Sequence, residues 1–371
     1  MPSKHIYLVP GFFGFTSIGS LNYFNGVATT LDRFLRQRGD DWRIIECETQ
    51  PTGSIRNRAD RLLSTVIEHG GLEADELHFV GHSTGGLDIR LLVTPGVRLR
   101  PGDVEDELGR RTRNIITVST PHFGTPLANF FTSLQGRNLL QLLAVLATSD
   151  QGRYSIFVAA QATSILARID DRLGRRETFL DYVASRLLEQ VTPRTDDPFW
   201  DFLRDISADQ GAIIQLTPEG MNLYNAAVTD RDGVRYSAVV SAAPSPRLRL
   251  LPEMGSVERA TRYALFSVLH TLTGREHRHY PYPSPPPSAA TDLSRDLPFS
   301  ISASTSDGVV PTLRQVYGEV VQTVVADHLD VVGQFRNAGG QRYADWLPSG
   351  SRFDQGTFDR IWQKVAEVLS G

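Results

Sequence analysis

Short apolar runs alternate with helical patterns along about the first 120 residues of this 371-residue chain, and no other feature restricts the fold as strongly. Residues 6–9 (Ile-Tyr-Leu-Val) predict a buried strand. Residues 21–38 carry helical spacing through Phe24, Val27, Leu31, Phe34 and Leu35. Residues 43–48 predict a strand, and 55–69 a helix with Leu62, Leu63, Val66 and Ile67 on one face. A strand over 77–80, a helix over 84–92 and a strand over 114–118 follow. Neighbouring parallel strands need a crossover connection, which helices of this length supply in the right-handed sense. The expectation is an α/β fold with a mostly parallel sheet flanked by helices.

Beyond residue 118 the rhythm changes. Residues 98–113, just before that last strand, are charged and without period, which predicts a solvated loop. From about residue 127 to 221 strand character disappears and helical stretches replace it, including 139–147, apolar almost all round. Strand character returns at 234–240, a helix follows over 257–272, and residues 280–287 hold five prolines in what must be an irregular or polyproline-like connection. A strand ending near Thr305, a strand over 319–325 and a helix over 358–369 complete the chain. The simplest organisation is a single catalytic domain over 1–371 with a helical cap or lid insertion at about 127–230. Such an insertion would sit over the C-terminal edge of the sheet, where open α/β folds place their sites.

Composition excludes several function classes. A hydrophobic fraction of 40% and a charged fraction of 22% are those of a soluble globular protein. A net charge of -4 and the lack of a long basic block give no reason to expect nucleic acid as a partner. The single cysteine, Cys47, allows neither an internal disulfide nor a cysteine-based metal site and reads as a small core residue. The apolar run at 6–9 is too short and too early for a signal peptide, and no stretch approaches the roughly twenty apolar residues of a membrane span. The cytoplasm is the default location.

The chemistry enters at Gly81-His82-Ser83-Thr84-Gly85. G-x-S-x-G is permissive by itself, but here it directly follows an apolar run and directly precedes a helical pattern. A sharp strand-turn-helix lifts a serine hydroxyl clear of the sheet, and flanking glycines let strand and helix approach. Ser83 is therefore the candidate nucleophile. His82 adjoins it but points elsewhere on a tight turn, so it reads as packing.

Leu8-Val9-Pro10-Gly11-Phe12-Phe13-Gly14, Gly81-His82-Ser83-Thr84-Gly85-Gly86 and Ser119-Thr120-Pro121-His122-Phe123-Gly124-Thr125-Pro126 together resemble the bacterial lipases and carboxylesterases of the α/β-hydrolase superfamily. The similarity covers the first 130 residues well and the last 70 in part. It implies an oxyanion hole made by the amide of Thr84, the residue after the nucleophile, and by the amide of Phe12 in the loop after the first strand. Pro10 stands where those lipases usually have histidine. Because the donor is a backbone amide and Gly11 is kept, the hole should survive.

The same resemblance implies the order serine, acid, histidine. Among the histidines after Ser83, His270 lies within a helical pattern, and His277 and His279 lie beside the proline run. His328 follows the apolar run 320–325 and precedes the C-terminal helix, as the general base of such lipases does. Asp307, in Ser306-Asp307-Gly308, follows the strand expected over 299–303 and opens a turn, the setting of the acid. Asp327 and Asp330 flank His328 too closely to orient it, and Asp292 and Asp296 lack a strand before them. Some of these lipases bind calcium at positions matching Asp330 and Gln334. Two oxygen ligands fall short of six to eight, so no cofactor is expected.

Phe12, Phe13, Phe15, Phe123, Phe130 and Phe131 near the expected site favour an apolar acyl group. The leading expectation is a lipase or medium-to-long-chain carboxylesterase working through an acyl-enzyme on a lipid or small-molecule ester, with transient contact to a lipid interface. A thioesterase or polyester depolymerase would use the same triad. Epoxide and haloalkane hydrolases are disfavoured because they carry aspartate at the nucleophile position. A catalytically silent hydrolase fold serving as a binding module predicts a missing triad member, and none is missing. Residues 139–147 fit a lid and an ordinary buried helix equally well.

Overall fold

The computed structural model describes residues 3–12, 17–18, 21–39, 42–132, 209, 211–247, 257–275, 287–335 and 345–371. Six parallel strands form one sheet: β1 (Lys4–Val9), β4 (Trp42–Glu46), β5 (Glu76–His82), β6 (Thr112–Val118), β7 (Arg235–Ala242) and β8 (Glu319–Val325). Their spatial order is β4-β1-β5-β6-β7-β8. The chain leaves β1 for β4 on one side, then crosses back to β5 on the other. That reversal opens a crevice beyond the carboxyl ends of β1 and β5, which is where ligands bind in open parallel sheets. The two loops singled out in the sequence leave those two strand ends.

Alternation along each strand divides the core between the two faces of the sheet. Ile6, Leu8, Val80 and Ile116 pack on one face against helix α1 (Val27–Gln37) and the C-terminal helix (Gln355–Ser370), whose Trp362 is fully buried. Tyr7, Val9, Phe79 and Ile115 pack on the other against α2 (Ile55–Glu68) and α3 (Gly85–Val93). In α2 the buried residues Ile55, Ala59, Leu62, Leu63 and Val66 recur at helical spacing, and Ser54 caps the start by accepting the Asn57 amide. Cys47 is buried in this same layer just past β4.

Three expectations are corrected. The helix expected from residue 21 begins at Val27, after Gly26 at φ +73°; Leu21–Asn22 (β3) instead pairs antiparallel with Ser17–Ile18 (β2). The expected loop at 98–113 contains α4 (Val104–Arg111) and the start of β6. Only Glu105, Leu108 and Gly109 of α4 are buried, too few to give an apolar period. The helix has Glu105, Asp106 and Glu107 in its first turn and Arg110 and Arg111 in its last, which suits the helix dipole. Residues 299–303 form no strand. There the Ile301 amide donates to the Ser294 hydroxyl and the Ser302 amide to the Thr305 hydroxyl, so side chains take the donors that a ladder needs.

The first and last parts of the expected insertion are helices α5 (Pro126–Phe131), α6 (Gly211–Gln215) and α7 (Pro218–Ala227). Residues 139–147, and with them most of the insertion, lie outside the described residues, as do Phe13, Phe15, His277 and His279. Among the described residues no helix is long and apolar enough to cross a membrane.

Candidate active site

Ser83 sits at the turn between β5 and α3 with φ +54°, a left-handed conformation rare for a residue with a side chain. The turn exists because three glycines leave it room. A Cβ on Gly81 would lie 2.6 Å from Ile89 Cδ1, and one on Gly85 would lie 2.7 Å from the Pro10 carbonyl oxygen. A Cβ on Gly11 would run into Ser83 Cβ itself. Strand, helix and first loop therefore close around the serine.

His328 lies on the loop after β8, and its Nε2 is 2.9 Å from Ser83 Oγ. Its Nδ1 is 2.8 Å from Asp307 Oδ2. All three side chains are buried. The structure thus brings together the serine, aspartate and histidine that lie 245 and 21 residues apart in pairs. Asp307 has no strand before it. Instead its loop is tied to the end of β7, where the Ala243 amide donates to the Ser306 carbonyl.

The Asp307 carboxylate is held on every side. Oδ1 accepts the Val309 and Val310 amides at 2.9 and 2.7 Å. Oδ2 accepts the Ser241 hydroxyl at 2.9 Å and the Gln315 side-chain amide at 3.2 Å besides the imidazole. Ser119, at φ +52°, meets the Ser241 hydroxyl at 2.7 Å. Sequence reasoning missed Ser119, Ser241 and Gln315. Ser119 opens the 119–126 motif, but the resemblance gives it no role, and Ser241 and Gln315 are single polar residues in no motif, so the sequence carries no signal for them.

Arg58 is the other omission. It is fully buried on α2, pairs with Asp88 of α3 at 2.8 Å, and donates to the Pro10 and Gly11 carbonyls at 2.8 and 3.1 Å. Burial raises the Asp88 carboxyl to about 6, and the adjacent guanidinium opposes that shift. A trans peptide carries its C=O and N–H on opposite sides. With both carbonyls turned to Arg58, the Gly11 and Phe12 amides face away from it.

His82 is more than packing. Its Nδ1 is 2.7 Å from the Tyr23 hydroxyl and its Nε2 is 2.9 Å from the His328 carbonyl. Burial, and next the His328 ring beside it, hold its pKa well below the usual imidazole range. Phe12, Thr84, Ser83 and His328 all line one cavity of about 210 Å³, walled mostly by apolar side chains including Leu127, Phe131, Ile213, Leu216, Leu265 and Leu347.

Residues 45–163 match the family described as "Putative serine esterase (DUF676)". A triacylglycerol lipase of Vibrio cholerae is 30% identical over 90 residues, so the match spans 24% of this chain and 27% of the length of that relative. The fold is similar over the whole chain to Lipase 1 from Pelosinus fermentans, with TM-score 0.53, 16% identity and coverage of 100% of this chain and 99% of that one. EstA from Clostridium botulinum gives TM-score 0.54 at 18% identity, covering 100% and 88%. Staphylococcus hyicus lipase gives 0.52 at 16%, covering 99% and 95%. The chain has the α/β-hydrolase fold.

Within this fold, the two residues that the sequence raised as calcium ligands are hydrogen-bonded to the protein itself. Asp330 Oδ2 accepts the Ser351 hydroxyl at 2.8 Å and the Asp327 amide at 2.9 Å, and Gln334 gives its side-chain amide to the Asn22 carbonyl. Burial, followed by the charges of Asp330 and Asp345, pushes Asp327 well above the carboxylate range, and burial pushes Asp330 to about 7. Among the described residues no group of three or more acidic, histidine or cysteine side chains is placed to hold a metal.

Proposed function

We propose that this chain is a serine hydrolase of carboxylic esters with apolar acyl groups, a lipase or medium-to-long-chain carboxylesterase. The observation that carries the reading is the continuous contact from Ser83 Oγ to His328 Nε2 and from Nδ1 to Asp307, opening on an apolar cavity. In this reading Ser83 Oγ attacks the ester carbonyl carbon while its proton passes to His328 Nε2. Asp307 keeps Nδ1 protonated and stabilises the imidazolium. Negative charge gathers on the carbonyl oxygen, where the Phe12 and Thr84 amides receive it. Each such donor typically contributes about 2.7–4 kcal/mol to lowering the barrier.

The tetrahedral adduct collapses when His328 returns the proton to the departing alcohol, which leaves an acyl group on Ser83. Water, deprotonated by the same nitrogen, then attacks the acyl carbon and releases the acid. The cavity walls match an alkyl chain, whose burial yields about 0.8 kcal/mol per CH₂. The described ends of the insertion supply Leu127, Ala128, Phe131, Ile213 and Leu216 to those walls, which supports a cap over the site and contact with a lipid surface.

A p-nitrophenyl ester panel of increasing acyl length, run below and above substrate solubility, tests the reading. Turnover is expected to rise with chain length, and Ser83→Ala to lower it on the order of 10⁶-fold. A jump in rate at the solubility limit identifies a lipase with a lid, and smooth saturation an esterase. Substantial turnover by Ser83→Ala removes the assignment.

A further inference from the structure

A buried chain of hydrogen bonds runs through Gly11, Tyr23 and His82 to His328 without reaching Ser83 Oγ or a carboxylate. Tyr23 comes from the segment between β3 and α1, and its hydroxyl is 2.7 Å from the Gly11 amide nitrogen and 2.7 Å from His82 Nδ1. His82 Nε2 is 2.9 Å from the His328 carbonyl oxygen. The carbonyl can only accept, so His82 Nε2 carries the ring hydrogen and Nδ1 is the acceptor. Tyr23 gives its hydroxyl hydrogen to Nδ1 and accepts the Gly11 amide on its oxygen. Each of these three contacts has one donor–acceptor assignment, and each side chain is buried.

The two ends of this chain are what catalysis must hold in register. At one end the Gly11 amide is fixed one residue before Phe12, whose amide is assigned to the oxyanion. Arg58 grips the carbonyls of the same two peptides from the opposite side. At the other end lies the backbone of the base. His82 is also the residue before the nucleophile, so a single imidazole joins the oxyanion loop, the serine turn and the histidine loop.

Resting on the serine-hydrolase reading above, we propose that Tyr23 and His82 are positioning residues. Through Gly11 they set the Phe12 amide at the place where the oxyanion forms, and through the His328 carbonyl they fix that place relative to the base. The oxyanion exists only in the transition state, so the loss of this register lowers kcat and leaves substrate binding alone. A scaffold that merely stabilised the fold would change the unfolding midpoint and leave kcat of the folded enzyme unchanged.

Tyr23→Phe removes one oxygen and keeps the ring in the cavity wall. Its kcat on p-nitrophenyl butyrate is expected to fall about 10- to 100-fold with KM within about twofold, as for an amide displaced by a fraction of an ångström. The inhibition constant of an alkylboronic acid, whose tetrahedral adduct with Ser83 places an oxygen at the hole, should rise by the same factor. His82→Gln keeps a donor for the His328 carbonyl and should recover most of the rate, whereas His82→Leu should lose as much as Tyr23→Phe. Rates are taken per active site titrated with a phosphonate, so a poorly folding variant is counted only by its folded fraction. A Tyr23→Phe enzyme with unchanged kcat, or with lowered kcat and unchanged boronate affinity, overturns the inference while an inactive Ser83→Ala leaves the hydrolase reading standing. Turnover that survives Ser83→Ala overturns that reading, and this inference with it.

Discussion

Asp307 meets His328 twice. The carboxylate oxygen Oδ2 lies 2.8 Å from Nδ1 of the imidazole, and the His328 backbone amide donates to the Asp307 carbonyl at 3.0 Å. The side-chain contact orients the ring, and the backbone contact fixes the loop from which the ring projects. In the proposed reaction an imidazole held at both levels loses little freedom when it takes up the serine proton, and a pre-set geometry of that kind lowers a barrier.

Asp307→Asn tests what that carboxylate does. Oδ1 accepts the Val309 and Val310 amides, so the asparagine oxygen should take that side and its NH₂ should face Nδ1. A donor there forces the hydrogen onto Nε2, and the base can no longer receive the Ser83 proton. Turnover of a p-nitrophenyl ester should drop on the order of 10⁴-fold while circular dichroism stays that of the wild type. Turnover close to that of the wild type would show that tautomer control is not the role of Asp307.

Gly85→Ala should be costly although a helix normally favours alanine. The added Cβ meets the Val9 carbonyl and lies 2.7 Å from that of Pro10, both of them backbone atoms that cannot turn aside. Overpacking of this kind costs about 1–3 kcal/mol, to be read as a lowered urea midpoint. Esterase activity should fall as well, because the same displacement pushes the oxyanion loop from Ser83. An alanine variant as stable as the wild type would show that β1 and α3 can separate freely.

How much of this was legible in the sequence follows from what each residue bonds to. Strands β1, β5 and β6 show as apolar runs because their central residues are buried on both faces of the sheet, whereas β8, a half-buried edge strand, shows only through its valines. Ser83 shows because its glycines answer local steric demands within a few residues. Asp307 and His328 were found from chain order and resemblance, and the strand expected before Asp307 is absent. Ser241 and Gln315 could not be found. Ser241 lies 66 residues from Asp307 and inside an ordinary strand, and Gln315 lies in a loop beyond a short 3-10 turn. Helix α4 escaped for a different reason, since its amphipathic face is only one leucine wide.

Arg58→Met should separate stability from catalysis. The substitution strands Asp88 as a buried unpaired carboxylate, which costs about 3–5 kcal/mol. Arg58→Met combined with Asp88→Leu removes both charges and should restore most of that stability in urea unfolding. The kcat of the double variant should stay low, because the guanidinium that holds the Pro10 and Gly11 carbonyls, and so turns the Phe12 amide away from α2, is then gone. Recovery of both quantities together would show that Arg58 acts on the fold alone.

His78 gives the protein a dependence on acid that can be measured away from the active site. Its ring is buried edge-on to Trp42, and Nδ1 accepts the Asn114 side-chain amide at 3.0 Å. Burial first, then the charges of Lys4 and Arg113, lower its pKa from 6.5 to about 3. Below 6.5 the unfolded chain binds a proton that the folded chain refuses. The stability conferred by the neutral ring is therefore complete above 6.5 and is lost as the pH falls towards 3. One proton corresponds to a slope of about 1.4 kcal/mol per pH unit, which integrates to about 2 kcal/mol between pH 7.5 and 5. His78→Gln has no such proton to bind, so the gap between wild type and variant in urea unfolding should move by that amount in favour of the variant on acidification. A gap that stays constant across the range would mean that His78 is protonated in the folded protein, against the direction its burial dictates.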